Sequence, residues 1–353
     1  MRSDRRSLAV GGGAALLAAL AFARYRQRKL LESRPVFSGR LAIVTGGSRG
    51  LGFLLARELA REGARVVLWA RDQEELDRAR DALADLGADV AIEACDIRDR
   101  NQVEAVVRDI ERRKGPIDVL VNNAGIISVG PIETMTVQDY EASLATMFWG
   151  MVYPTLAVLP GMLERGEGRI ANVTSIGARI AVPHLSSYCA AKFAAQGFSE
   201  GLRAELRHKG IEVTTILPGL MRTGGHVNAL FKGAHQDEYR WFSLSASLPF
   251  LSLDAERAAR RIVLAVKRGA PEIVVGLPAK IASTTHGLFP GLTTEAAALV
   301  DAALLPNREP AERRIPGREL DRRGSWLLKA LTRLGRSSVE RFQEHKAEAL
   351  SGS

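Results

Sequence analysis

"LAIVTGGSRGLGFLLARELAREG", residues 41–63, decides how this chain folds. Its first five residues form a short run of β-branched and aliphatic side chains, which reads as a buried strand. From Leu51 onward the apolar positions recur at helical spacing. Gly46, Gly50 and Gly52 sit at the turn between the two. Glycines there let the backbone approach a pyrophosphate, whose charge meets the open N–H groups at the helix N-terminus. A lone glycine triplet says little, but this one has a strand before it and a helix after it. Gly46, Ser48, Arg49, Gly50, Leu51 and Gly52 are therefore the expected phosphate cradle of a nucleotide cofactor.

The same alternation continues outward. "ARVVLWA" leads into "EELDRARDALADLG", and "VAIEACD" into "NQVEAVVRDIERRKG"; "IDVLVNNAG", "GRIANVTS", "IEVTTILPG" and "EIVVG" are further strand candidates. Continuous apolar strands separated by helices predict an α/β fold: a Rossmann-type, doubly wound parallel sheet with helices on both faces. No Pro/Gly/Ser linker interrupts residues 35–277, so they read as one catalytic domain. Residues 1–34 form an N-terminal hydrophobic and basic segment, and residues 278–353 a helical, basic C-terminal extension.

With 353 residues and 46% hydrophobic content the chain can bury a full core. Its two cysteines, Cys95 and Cys189, are too few for a disulfide framework and read as small buried side chains. The net charge of +9 sits at the ends: residues 1–34 carry +6 and residues 307–353 carry +4, which leaves the body near −1. Basic tails on a neutral body suit an anionic membrane surface, and no zinc-finger or aromatic-basic pattern points to nucleic acid. No residues have metal-ligand spacing.

The N-terminal run "LAVGGGAALLAALAFA" is sixteen residues long and flanked by arginines. Three readings stay open: a short membrane anchor with the catalytic domain in the cytoplasm, an export signal built on the twin-arginine pair Arg5-Arg6, or a soluble cytoplasmic protein on which the segment packs. Near the other end, "TTEAAALVDAALLP" reads as a helix bounded by Pro290 and Pro306. "GSWLLKALTRLGRSSVERF" places Leu327, Leu331 and Leu334 at helical spacing, for a membrane interface or for packing on the domain.

"VVLWARD" ends the second strand with Arg71 where an acid would read the adenosine ribose of NAD. Arg71 and Arg49 together suit a 2′-phosphate, so NADP (NADPH) is the expected cofactor and NAD the alternative. Asp72, one residue on, is the group that would favour NAD. In "SSYCAAK", residues 186–192, Tyr188 and Lys192 are four apart and share one helix face.

These residues resemble the short-chain dehydrogenase/reductase family over about 240 residues in order. The motifs are TGGSRGLG at 45–52, Asp96-Ile97 after the third strand, NNAG at 122–125, Ser175, Tyr188 with Lys192, and PGLMRT at 218–223, with Ser175 thirteen residues before Tyr188. The resemblance implies that Asp96 and Ile97 flank the adenine, that Asn123, Ala124 and Gly125 hold the fourth strand beside the cofactor, and that Pro218, Gly219 and Thr223 enclose the nicotinamide. It also implies that Ser175 donates to the substrate oxygen and that Lys192 holds the nicotinamide ribose. Tyr188 would be the acid or base, its pKa lowered by Lys192 and the positive nicotinamide. One position departs from the family pattern: Met147 stands where a fourth catalytic residue, an asparagine, is usual.

The segment after Thr223, "GGHVNALFKGAHQDEYRWFSLSASLPFL", carries Phe231, Trp241, Phe242 and Phe250 and is expected to lie over the substrate as a lid. His184 and His226 read as structural histidines. A hydrophobic, lipid-like ketone or alcohol is the expected substrate, and a homo-oligomer is the common family state. An NAD-dependent alcohol dehydrogenase and a non-catalytic nucleotide-binding relative are the competing readings.

Overall fold

The computed structural model describes residues 35–248, 251–305, 313–323 and 332–344. The chain divides into two compact units, residues 1–36 and 37–353, and the second carries everything that follows. The expectations for residues 1–34, for Phe250, and for Leu327 and Leu331 lie outside the described residues.

Seven parallel strands form the central sheet: β1 (Leu41–Thr45), β2 (Arg65–Ala70), β3 (Val90–Ala94), β4 (Val119–Asn122), β5 (Gly168–Val173), β6 (Ile211–Pro218) and β7 (Glu272–Val275). Their order is β7-β6-β5-β4-β1-β2-β3, so the winding reverses between β1 and β4. That reversal opens a crevice at the carboxyl ends of these two strands, where α/β sheets bind their ligands.

Alternation along the strands divides the core. Leu41 and Ile43 of β1 pack with Val103, Val107 and Ile110 of α3 (Arg100–Lys114), with Val158 and Met162 of α5 (Gly150–Arg165), and with Leu206 of α6 (Ser186–Leu206). Ala42 and Val44 point to the other face, and all five β1 residues are at most 1% exposed. On that other side α1 (Gly50–Arg61) packs against α8 (Ala255–Lys267). The helix α2 (Gln73–Ala84) lies against β2 and β3. Both faces are thus covered, as the apolar strands require.

Between β4 and β5, α4 (Val137–Leu144) runs through a π-helical turn, Ala145–Trp149, into α5. The 29-residue span Val137–Arg165 is apolar and long enough to cross a bilayer by composition, yet Val152, Val158 and Met162 are buried in the fold. After β6 the chain forms the expected cover, with α7 (His235–Ser247) burying Tyr239 and Phe242. Residues 230–231 pair with 128–129 on one side and with 315–316 on the other, so the C-terminal extension contributes a strand to the wall of the lid. Leu320 of α11 (Gly317–Arg323) joins that apolar group. The extension also forms α9 (Leu277–Leu288), α10 (Pro290–Leu304) and α12 (Arg333–Arg341). Leu277, Ile281, Leu288, Phe289, Leu292 and Leu299 of the α9–α10 hairpin are all more than half exposed.

One buried ion pair ties these parts together. Lys232 Nζ donates to Asp139 Oδ2 at 2.6 Å and to the Thr134 carbonyl at 2.8 Å, and Arg314 approaches Asp139 Oδ1 at 2.8 Å. Asp139 also closes the capping box of α4 with Thr136. Burial pushes the Asp139 carboxyl up, but the bonds from Lys232 and Thr136 and the charge of Arg314 outweigh it and hold the group below its usual range. Replacing Lys232 by Met leaves that carboxylate buried without its nearest cation. The expected loss is about 3–5 kcal/mol of folding stability, read from denaturant midpoints; a loss below 1 kcal/mol would show that Arg314 alone compensates it.

Candidate active site

The turn after β1 needs its glycines. Gly46 and Gly50 have φ of +62° and +56°, in the left-handed region. A Cβ on Gly52 would lie 2.0 Å from the Gly46 carbonyl oxygen. No side chain caps the first turn of α1, so its backbone N–H groups suit an anion. Beside them, Asn123 locks β4 onto the turn: its Nδ2 donates to the carbonyls of Thr45 (3.1 Å) and Gly46 (3.2 Å), while its backbone N–H donates to Thr45 Oγ1 (3.0 Å). These are the features a dinucleotide requires, and the residues fit one.

All of the sequence-predicted residues except Gly52 line a single cavity of about 960 Å³. Gly52 lies behind the turn and keeps it tight. Its lining includes Arg49, Arg71, Asp96 and Ile97 as well as Gly125, Ser175, Tyr188, Lys192, Pro218, Gly219 and Thr223. Gly219 is fixed by its N–H bond to the Val275 carbonyl (2.9 Å), and Thr223 Oγ1 accepts from Gly225 N–H (3.2 Å). The cavity is also lined by apolar Ile180, Val182, Leu185, Met221, Trp241 and Phe242, and of these Val182, Leu185, Trp241 and Phe242 pack in one cluster. Residues 180, 182 and 185 carried no sequence signal, because their approach to the lid depends on tertiary folding alone.

Arg49, Ser48 and Asp72 are committed within the chain, while the histidines and cysteines stand as the sequence reading has them. Arg49, expected to face a 2′-phosphate, donates to Glu75 Oε1 at 2.9 Å, and Ser48 Oγ donates to Glu75 Oε2 at 3.1 Å. Asp72 caps α2 by accepting from the Glu75 N–H, so its carboxylate is turned to the helix. Arg71 is the exposed guanidinium at the end of β2. Asp96 is gripped by Arg98, which holds its carboxyl below the usual range. His184 bridges Glu238 of α7 (2.7 Å) and Asp301 of α10 (3.2 Å), a structural role. His226 is buried in the cavity wall near Tyr239, and burial pushes its pKa down to about 4. Both cysteines are buried.

Tyr188 and Lys192 stand one helical turn apart on α6, with Lys192 Nζ 5.8 Å from the phenol ring centre. The expected lowering of the tyrosine pKa is not found in the chain alone. Burial pushes the phenol up to about 12, against the opposing hydrogen bond from Ser175. Burial also draws Lys192 down to about 8. The physical reason is that both charged forms lose water, and Lys192 Nζ donates to the Val173 carbonyl (2.9 Å) rather than to the phenol. Met147 is buried in the π-helical turn and lies with Lys192 beside Gly125. A thioether there cannot hold a water as an amide does.

Comparison with known proteins agrees with this geometry. A family model described as short chain dehydrogenase matches residues 40–230. A dehydrogenase/reductase SDR family protein 7-like of Drosophila melanogaster is 31% identical over 274 residues, covering 76% of this chain and 82% of that protein. Among solved structures, the gluconate 5-dehydrogenase of Burkholderia cenocepacia in complex with NADP and tartrate superposes with a TM-score of 0.60 at 28% identity. It covers 69% of this chain and 96% of that one. A variant actinorhodin polyketide ketoreductase with NADPH gives a TM-score of 0.60 at 30% identity, over 67% of this chain and 96% of that one.

The lysine makes a stability prediction. Its folded pKa of about 8 lies below the unfolded value of 10.5, so the unfolded chain holds more protons between these limits and stability rises with pH across that window. In nucleotide-free protein, Lys192→Met should raise the thermal midpoint at pH 7. Its advantage should shrink between pH 8 and pH 10.5. An advantage that stays constant with pH would contradict the assignment.

Proposed function

The chain belongs to the short-chain dehydrogenase/reductase family, nucleotide-dependent oxidoreductases acting between CH–OH and carbonyl groups, and we propose that its reaction is NADPH-dependent reduction of a hydrophobic ketone. One observation carries this reading: Ser175, Tyr188 and Lys192 line one cavity together with the glycine turn, with Arg49 and Arg71, and with the apolar side chains of Ile180, Val182, Leu185, Trp241 and Phe242. The bound nicotinamide supplies the hydride. The chain supplies the proton and the surroundings for the oxygen. Tyr188, kept neutral by burial, donates its proton to the oxygen as negative charge gathers there, and Ser175 supplies a second hydrogen bond to the same atom. Lys192, drawn down to about 8, exchanges a proton near neutral pH and can restore the phenol.

A neutral tyrosine in the nucleotide-free site stands ready as the acid of a reduction. NADPH is favoured over NADH by Arg71 at the end of β2, and several structurally similar proteins are complexes with NADP or NADPH. The walls of Ile180, Val182, Leu185, Trp241 and Phe242 favour an apolar substrate. In an assay with NADPH and a panel of cyclic and long-chain ketones, Tyr188→Phe should abolish turnover while leaving NADPH binding intact. Arg71→Ala should weaken NADPH by about 10- to 100-fold and leave NADH unchanged, as loss of a charge-assisted bond requires. Equal loss for both nucleotides would remove the NADP preference, and turnover by Tyr188→Phe would remove the proton role.

We also propose that the enzyme works at an anionic membrane surface, with its catalytic domain in the cytoplasm. Support comes from the α9–α10 hairpin, whose tip exposes Leu288 (68%), Phe289 (57%) and Leu292 (67%), and from the +4 charge of residues 307–353. The full chain should cosediment with phosphatidylserine-containing vesicles. Leu288→Ser with Phe289→Ser should weaken that binding by at least about 10-fold, since each side chain loses more than 1 kcal/mol of burial. Protein that stays in the supernatant would overturn the proposal, and a shift from dimer to monomer in the double variant would assign the hairpin to a second copy instead.

A further inference from the structure

The cradle for the pyrophosphate is already in use by the chain itself. Phe342, at the end of α12, accepts the Gly50 N–H through its backbone carbonyl at 2.7 Å. Two residues later the Glu344 carboxylate lies against the same turn, where a Cβ placed on Gly50 would meet Glu344 Oε1 at 2.5 Å. Arg49 Nε stands 3.7 Å from Glu344 Oε2. Asn228 Nδ2 completes the grip, donating to Glu344 Oε2 (2.6 Å) and to its backbone oxygen (3.0 Å).

We propose that residues 332–344 form an internal strap whose Glu344 carboxylate stands in for the cofactor phosphate, and that this strap must leave the glycine turn before a dinucleotide can bind. The proposal rests on the reading of the cavity as a dinucleotide site. Its argument is one of shared space and shared donors. A pyrophosphate on the first turn of α1 needs the Gly50 N–H and the positive field of Arg49, and two anions cannot occupy both together. The strap also lies over the other side of the expected cofactor path: a Cβ on Gly224 would meet the Val339 Cα at 2.8 Å, so α12 is packed directly on the loop that follows Thr223.

The strap is held by real but limited packing. Val339 and Phe342 are buried, Gly335 fits only because a Cβ there would strike Ser247, and Arg336 pairs with Asp321, which also accepts from the Tyr239 hydroxyl. At its business end the hold is weaker. Burial pushes the Glu344 carboxyl up to about 7, with Arg49 and the Asn228 hydrogen bond pulling it down and Glu75 pushing it further up. A carboxyl pushed toward its neutral form is a poorer anion than a phosphate, and a dinucleotide phosphate would compete for the same Gly50 N–H and Arg49. Displacement would also free Asn228 to meet the incoming group.

Hydrogen exchange on the full chain, with and without saturating NADPH, tests this alongside fluorescence titration of wild type and Glu344→Ala. The expected result is protection of residues 46–52 on adding NADPH, together with faster exchange at residues 333–344, and about 10-fold tighter NADPH binding by Glu344→Ala. Binding by the variant alone would also support the strap. Protection of 46–52 with no change or added protection at 333–344, and no gain in Glu344→Ala, would overturn the strap while leaving the cofactor reading in place. Absence of binding by both NADPH and NADH in both proteins would overturn the two together.

Discussion

Thr45 fixes the working end of this molecule. It is the last residue of β1, is 1% exposed, and its hydroxyl accepts backbone N–H groups from both Asn123 (3.0 Å) and Ala124 (3.2 Å). The Asn123 amide returns bonds to the Thr45 and Gly46 carbonyls. Strands β1 and β4 are therefore clamped at the one place where the sheet reverses its winding. The cradle of glycines and the start of the substrate wall are held by the same four residues. Shifting either strand by one residue would turn both away from the crevice, because side chains alternate along a strand.

From that clamp a buried polar ladder carries the register to the catalytic helix. Asn122 Nδ2 donates to Asn172 Oδ1, Asn172 Nδ2 donates to Ser199 Oγ, and Ser199 Oγ shares a hydrogen with Thr215 Oγ1, at 2.9, 3.0 and 2.7 Å. The ladder joins β4, β5, α6 and β6. Each of these side chains is at most 2% exposed, so each bond is hard to replace with water. Ser199 lies on the same helix as Tyr188 and Lys192. Pinning it fixes the rotation of α6 and with it the direction of the phenol. Lys192, bonded to the Val173 carbonyl at the end of β5, completes the anchorage.

The order of strands and helices was legible in the sequence because buried parallel strands leave continuous apolar runs, and the glycine turn because positive φ and backbone contact admit no other residue. Spacing alone put Tyr188 and Lys192 on one helix face, while Ser175 and the roles expected of all three came from the resemblance to the short-chain dehydrogenase/reductase pattern. What stayed hidden is pairing between distant polar residues. Glu75 reads as an ordinary first-turn acid of a helix, yet it takes both Ser48 and Arg49. Glu344 sits almost 300 residues from the turn it fills, and nothing in its neighbours marks it. The two-residue strand at 315–316 is too short to show any period. Such contacts depend on where the C-terminal extension returns, a property of tertiary packing that local pattern does not carry.

Burial also shifts the two ionisable groups proposed to carry the proton. Opposite shifts in Tyr188 and Lys192 share one cause, the removal of water from around both groups. Met147 belongs to the same effect, since an apolar thioether beside Gly125 adds no polar atom to that wall. Tyr188 is partly buried, so a charge arriving with a ligand is screened less than in water and has a larger influence on the phenol than it would have there. The chain alone therefore holds its acid in the protonated form. In the proposed reduction Tyr188 would keep its proton until a substrate oxygen that has gained negative charge is basic enough to take it, which would couple proton transfer to the step that needs it.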